Sequence, residues 1–173
     1  MIKDLKQSAR FAEGCALGEV VRAEIYRGHR GYYLPNPDEC PCVDDLIVNT
    51  GRSYLAQRIG ANINSPMAHM AIGSGSTAAA LTDGSTPGLY GEINRKALST
   101  NSAQTNNVYT AVATWGGAAD SVQSIAITEA GVFNHAGSGQ GTLFQRVTFA
   151  SVTLADSDLL KVELTTNVGS NTI

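Results

Sequence analysis

The side chains able to do chemistry gather in a few places along this chain. Cys40-Pro41-Cys42, with His29 upstream and Cys15 further back, supplies soft metal ligands. A structural zinc site takes four ligands, often with two or more residues between paired cysteines. A single residue separates Cys40 from Cys42, so reduced, partly buried thiols are the simpler reading. The odd count of three cysteines sets no disulfide framework either. Gly73-Ser74-Gly75-Ser76-Thr77 is glycine-rich but lacks the lysine and following helix of a phosphate loop. Ser, His and Asp are present without a Gly-x-Ser-x-Gly elbow, and His29, His69 and His135 are far apart. His69 alternates with Met70 and reads as a packed or edge histidine. Glu129 has no second acid or histidine at catalytic spacing. It is expected to pair with Arg95 or Arg146 across a sheet, which fixes register more than it adds stability. Trp115, beside Gly116-Gly117, has the chemistry to stack on a sugar, although one Trp at a strand end is more often core or interface. No catalytic, cofactor or metal residue is assigned, and the expectation is a chain that is not an enzyme.

The elements that would position these residues follow from composition and period. Charged residues are 16% of the 173, against roughly 25% in an ordinary soluble domain. There are 18 glycines. A neutral, small-residue surface suits a protein packed against others; a plain turn-rich β protein has the same composition. A net charge of −3 argues against nucleic acid, which needs a basic face to replace phosphate counterions. No apolar run reaches the roughly 18–20 residues of a membrane span. Met1-Ile2-Lys3-Asp4-Leu5-Lys6 has no apolar segment behind it, so a secretory signal is not expected and the product should stay in a reducing cytoplasm.

Charge divides the chain. Residues 1–60 carry 16 of the 27 charged side chains, eight of each sign. Residues 1–45 lack a clean period and are punctuated by Gly28, Gly31, Pro35, Pro37 and Pro41, which predicts an extended N-terminal arm lying on a partner, within which Val20 to Arg27 reads as a strand or as extended arm. The domain proper is expected over 46–173. A helix is predicted within Asp44 to Gly60, capped at Asn49 or Thr50 and so leading the domain near 49–60, with Tyr54, Leu55 and Ile59 on the packed edge.

From Met67 the period becomes two. Strands are predicted at Met67–Ile72, Glu92–Ser99, Val108–Trp115, Ser124–Phe133, Thr142–Ala150 and Leu159–Asn167. Such strands without crossover helices give a mainly β chain, an antiparallel β-sandwich of jelly-roll-like kind with one short helix. Strand order is not readable. The long loops at Ser74–Gly91 and Asn134–Gly141 are expected to meet a neighbour. Gly73, Gly75 and Gly131 should supply positive φ or close backbone approach.

Set on those strands, Leu46-Ile47-Val48-Asn49-Thr50-Gly51 and Met70-Ala71-Ile72-Gly73-Ser74-Gly75-Ser76-Thr77-Ala78 resemble small virion proteins of tailed bacteriophages. The likeness continues through Glu92-Ile93-Asn94-Arg95-Lys96-Ala97. It ends with Thr128-Glu129-Ala130-Gly131-Val132-Phe133-Asn134 and the turn into Thr142–Phe149, covering roughly residues 46–167. The family is that of capsid cement (decoration) proteins, related in core to head-fibre and tail-fibre modules.

The resemblance implies a structural virion protein on the outer capsid surface, made in the host cytoplasm. Its partners would be the major capsid protein and two further copies of itself in a homotrimer, with no nucleic acid, membrane or cofactor. Val20, Val21, Ile25, Tyr26, Tyr32 and Tyr33 of the arm, with Arg95 and Lys96, are the expected capsid or subunit contacts. The alternatives are a tail-fibre, head-fibre or baseplate module that acts as an adaptor or binds a receptor, and a carbohydrate-binding sandwich using Trp115 and the 134–141 loop.

Overall fold

The computed structural model describes residues 17–29, 32–33, 38–40, 42–60, 65–85, 88–104 and 108–168. The chain begins with β1 (Leu17–Tyr26), β2 (Gly28–His29), β3 (Tyr32–Tyr33), β4 (Asp38–Cys40) and β5 (Cys42–Ile47), followed by helix α1 (Asn49–Gly60). Then come β6 (His69–Gly73), β7 (Glu92–Ala97), β8 (Thr100–Gln104), β9 (Val108–Gly116), β10 (Ile127–Phe133), β11 (Leu143–Val152) and β12 (Leu159–Val168).

Two five-stranded antiparallel sheets form, in the orders β4-β1-β12-β9-β8 and β5-β11-β10-β6-β7, and β2 pairs with β3 in a separate ribbon. This is the expected antiparallel sandwich with one short helix. Alternation fills the space between the sheets. Ala111, Ala113 and Trp115 of β9 and Leu160, Val162 and Leu164 of β12 meet Ala130 and Val132 of β10 and Val147 and Phe149 of β11. Burying each Val, Leu or Phe of this set stabilises the fold by about 1.5–3 kcal/mol. Polar contacts also join the sheets: the Thr166 hydroxyl donates to Gln145 Oε1 at 3.1 Å, with both side chains buried.

The chain changes sheets at both flanks. After β7, the Leu98 amide bonds to Ala68 O beside β6, and the Ser99 amide bonds to Val112 O of β9 in the other sheet. At the opposite flank β4 ends at Cys40 in the first sheet and β5 begins at Cys42 in the second.

Three expectations are corrected. Residues 1–45 are not an arm throughout. β1 pairs with β12 over ten residue pairs, and β4 and the start of β5 are sheet strands. Ala23 and Ile25 are buried, and Glu24 is buried as well because it pairs with Lys161. Val21, Ala23 and Ile25 alternate with Arg22 and Glu24, and pairing with β12 decides for strand over arm. Residues 1–16 lie outside the described residues.

Helix α1 begins at Asn49, residues 42–47 being strand. The Thr50 hydroxyl donates to Leu143 O at 2.7 Å and the Asn49 amide to Leu81 O at 2.8 Å, so neighbouring segments anchor the first turn. Gly51 lies against the Phe144 backbone, where a Cβ would collide. Tyr54 is buried and Leu55 packs on the core as predicted, but Ile59 is 91% exposed because the helix leaves the sheet before its last turn.

Candidate functional site

The second sheet has an outer face as well as a core face. On β10, Ala130 and Val132 point into the core, so Glu129, Gly131 and Phe133 point outward. Cross-strand register sets Arg146 of β11 and Ala71 of β6 beside Gly131, and Arg95 of β7 beside Ala71. Phe133 joins Val48, Ala71, Leu143 and Leu89 in a second apolar cluster on this side. The described residues of the 74–91 loop, 74–85 and 88–91, lie across this face, and a buried ionic cluster holds them there.

Arg146 and Glu129 are both fully buried. Arg146 Nε donates to Glu129 Oε2 at 2.8 Å, Nη1 to Asp83 Oδ2 at 3.0 Å, and Nη2 to Thr77 O at 2.8 Å. Glu129 Oε1 accepts the Gly75 and Gly91 amides at 3.0 and 2.8 Å. Asp83 accepts the Ala80 amide at 2.9 Å and the Tyr90 hydroxyl at 3.0 Å. The Tyr90 ring lies 4.7 Å from the guanidinium carbon. One cation thus sits between two anions. Three backbone N–H groups and a phenol supply the remaining compensation that buried carboxylates need. The bond to Asp83, with its charge, raises the Tyr90 phenol above its ordinary pKa of 10.0.

The expected Glu129–Arg146 pair is therefore present, and Glu129 has both oxygens engaged. Arg95 does not reach Glu129. It grips Glu92 in a bidentate pair at 2.9 and 2.6 Å, and its Nη1 donates to the carbonyls of His135 and Gln140 at 3.1 and 2.8 Å. Its guanidinium stacks 3.6 Å from the Phe133 centroid. Arg95 thereby ties the 134–141 loop to β7. Lys96 bonds both Asp120 oxygens, at 2.8 and 3.0 Å, and Thr114 O at 3.0 Å. The Arg95 side chain is 2% exposed and that of Lys96 34%, and both make contacts within the chain. The described parts of the two long loops pack on their own sheet.

The other expected contact residues are distributed as follows. Ile25 is buried in the core, and Tyr26 is half-buried with its hydroxyl donating to Glu24 at 2.8 Å. Val20 and Val21 lie on β1 opposite Thr165 and Leu164, and Tyr32 and Tyr33 on the β2–β3 ribbon. The side chains of these four, like those of His29, Cys40 and Cys42, lie outside the described residues, as does Cys15. Among the described residues no group of three or more His, Cys, Asp or Glu is placed to hold a metal ion.

Trp115 is fully buried and its Nε1 donates to Asn94 Oδ1 at 3.1 Å, so it offers no face for a sugar. His69 is half-buried and lies opposite Phe133 on β10. Burial, the Arg95 charge and the His135 ring hold its pKa below the usual 6.5. Burial pushes the Tyr109 phenol upward, and its hydroxyl donates to Met67 O at 2.8 Å.

A shallow groove of about 280 Å³ runs beside α1, lined by Asn49, Thr50, Ser53, Tyr54, Gln57 and Thr142. Its lining is uncharged. Asp83, Tyr90 and Glu92 were not singled out from sequence. The available signal was scarcity: of the eleven charged residues beyond residue 60, ten make ion pairs.

Comparison with known proteins finds no matching family model, no matching curated protein and no matching solved structure. No helix among the described residues is long and apolar enough to cross a membrane.

Proposed function

We propose that this chain is a structural virion protein, a capsid cement (decoration) protein that binds the outer surface of a tailed-phage head and ties neighbouring capsid subunits together. One observation carries the reading beyond the sequence resemblance. Beyond residue 60, ten of the eleven charged side chains make ion pairs within the chain, and those around Arg146 and Arg95 hold loops against the second sheet. That braces a body suited to lying against other subunits. The mechanism is multivalent: many modest contacts, repeated over a lattice, add to a strong hold through effective concentration. Homotrimers belong to the proposal, since closed cyclic symmetry is a common way to place identical contacts around one axis. Tyr32 and Tyr33, on a ribbon apart from both sheets, remain its proposed contact residues.

The test is the copy number of the chain in purified particles, measured by mass spectrometry against the major shell protein. A count comparable to the shell protein is expected. A count near that of tail components would overturn the cement role and favour the fibre or baseplate alternative.

A further inference from the structure

We propose that strand β8 is a docking edge for a second copy of this chain, pairing antiparallel with its own counterpart across a two-fold axis centred on Ser102. The two five-stranded sheets end in four edges, at β4, β8, β5 and β7. An open edge offers a row of backbone N–H and C=O groups to any strand that comes near, and folds blunt it with charges, proline, bulges or shortness. Three of these edges carry such devices. β4 is three residues long, holds Asp38 and Glu39, and is flanked in sequence by Pro37 and Pro41. β5 holds Asp44 and Asp45, and its pairing with β11 shifts register between Thr148 and Phe149. β7 holds Glu92, Arg95 and Lys96, and its pairing with β6 shifts register between Ile72 and Gly73. Lys96 also reaches across to Thr114 O of β9, an inward-pointing charge at a sheet edge.

β8 has none of these. Thr100-Asn101-Ser102-Ala103-Gln104 carries no charge and no proline, and it pairs with β9 over five consecutive residue pairs without a shift. No strand among the described residues covers its outer side.

Charge selects the occupant. The charged residues of β4 and of β5 are all acidic, so neither strand meets its own copy without setting like charges together. β8 meets itself with no such cost. In the register that engages all five residues, Ser102 faces its own counterpart, Thr100 faces Gln104 and Asn101 faces Ala103. Thr100, Ser102 and Gln104 share one face of the sheet, so this register keeps the faces of both copies aligned. The first sheets of the two copies then join into one sheet of about ten strands, within the size that twisted sheets reach. Five rungs make a modest contact, one that gains strength where copies are held side by side. It is a two-fold contact and does not depend on the three-fold assembly put forward above.

The experiment is disulfide trapping of the full chain in solution. Ser102→Cys places two thiols across the axis. Facing residues of an antiparallel pair have Cα separations of about 4.5–5.5 Å, within disulfide reach. With copper–phenanthroline as oxidant, mass spectrometry quantifies the peptide joined through the two introduced thiols and separates it from products of Cys15, Cys40 and Cys42. Ile59→Cys, at a 91% exposed site on α1, sets the rate of random collision. The link through Ser102→Cys is expected to form several-fold faster. Two charge variants of Ser102→Cys test the register. Thr100→Lys with Gln104→Lys sets like charges opposite each other twice and should slow the link by about two- to thirtyfold. Thr100→Lys with Gln104→Glu sets opposite charges there and should restore it. The first variant adds two positive charges to a net charge of −3 and the second leaves that net charge unchanged, so general repulsion would act in the opposite sense. A Ser102→Cys link no faster than that of Ile59→Cys would overturn the proposal, as would equal rates in the two charge variants.

Discussion

Replacing Arg146 with methionine tests the central claim about the ionic cluster. Methionine retains much of the length of the arginine stem. It removes the donors to Glu129, Asp83 and Thr77 O. Asp83 and Glu129 have side-chain exposures of 1% and 0%, so two carboxylates would be left in the interior without their shared cation. Breaking a buried ion pair from one side costs roughly 3–5 kcal/mol, mostly the penalty of an uncompensated buried charge. Against a total stability of about 5–15 kcal/mol this is a large fraction. At roughly 2–4 °C per kcal/mol for a chain of this size, the melting temperature should fall by about 6–20 °C. Calorimetry and urea titration measure the change. Hydrogen exchange should place the earliest loss of protection in residues 74–91, which the cluster holds down. Acid offers an internal control: protonating the orphaned carboxylates neutralises them, so the deficit should shrink as pH falls. A loss below about 1 kcal/mol, with the 74–91 amides unchanged, would refute the reasoning; the loop would then be held by its apolar contacts instead.

Gly75→Ala should also loosen the cluster, because the added methyl meets the Glu129 carboxylate and the Tyr90 Cβ. A loss of about 1–3 kcal/mol by urea denaturation is expected, the cost of overpacking a close-packed site. Ile59→Ser should change stability by less than about 0.5 kcal/mol in the same measurement, since the side chain is 91% exposed at the end of α1.

Six of the seven strands from β6 to β12 were legible because they alternate apolar and polar residues, whereas β8 (Thr100–Gln104), rich in small polar residues, was not expected. Leu160, Val162 and Leu164 face the core while Lys161 and Glu163 face outward, as predicted, and the six expected strands are present within a few residues of their expected ends. The N-terminal segment Val20–Arg27 reads equally as strand or arm, because the strand it pairs with, β12, lies more than a hundred positions away. No local pattern encodes such a pairing. Residues 44–47 were absorbed into the helix prediction because Asp44 and Asp45 resemble helix-start residues; pairing with β11 overrides that preference. The glycines were legible in kind. Gly73, Gly75 and Gly131 serve close approach, the first two beside the Glu129 carboxylate and the third between Leu143 and Leu89. The Glu129–Arg146 pair was also foreseen. What it grips was not, because Asp83 and Tyr90 reach it from a loop whose path depends on the assembled sheet.

The pairing of β1 with β12 has a mechanical consequence. Leu17 lies opposite Val168 and Tyr26 opposite Leu159, so the outer ends of the first and last strands meet at one pole of the sandwich. A force applied between Leu17 and Val168 would peel the pair apart one rung at a time, at low load. A force between Leu17 and the far pole would load all ten rungs in shear together. The pair should thus be weak when pulled between Leu17 and Val168 and strong when tension enters through one strand at one pole and leaves through the other strand at the opposite pole. Tension between Tyr26, where β1 passes into the β2–β3 ribbon, and Val168 would load it in that stronger sense.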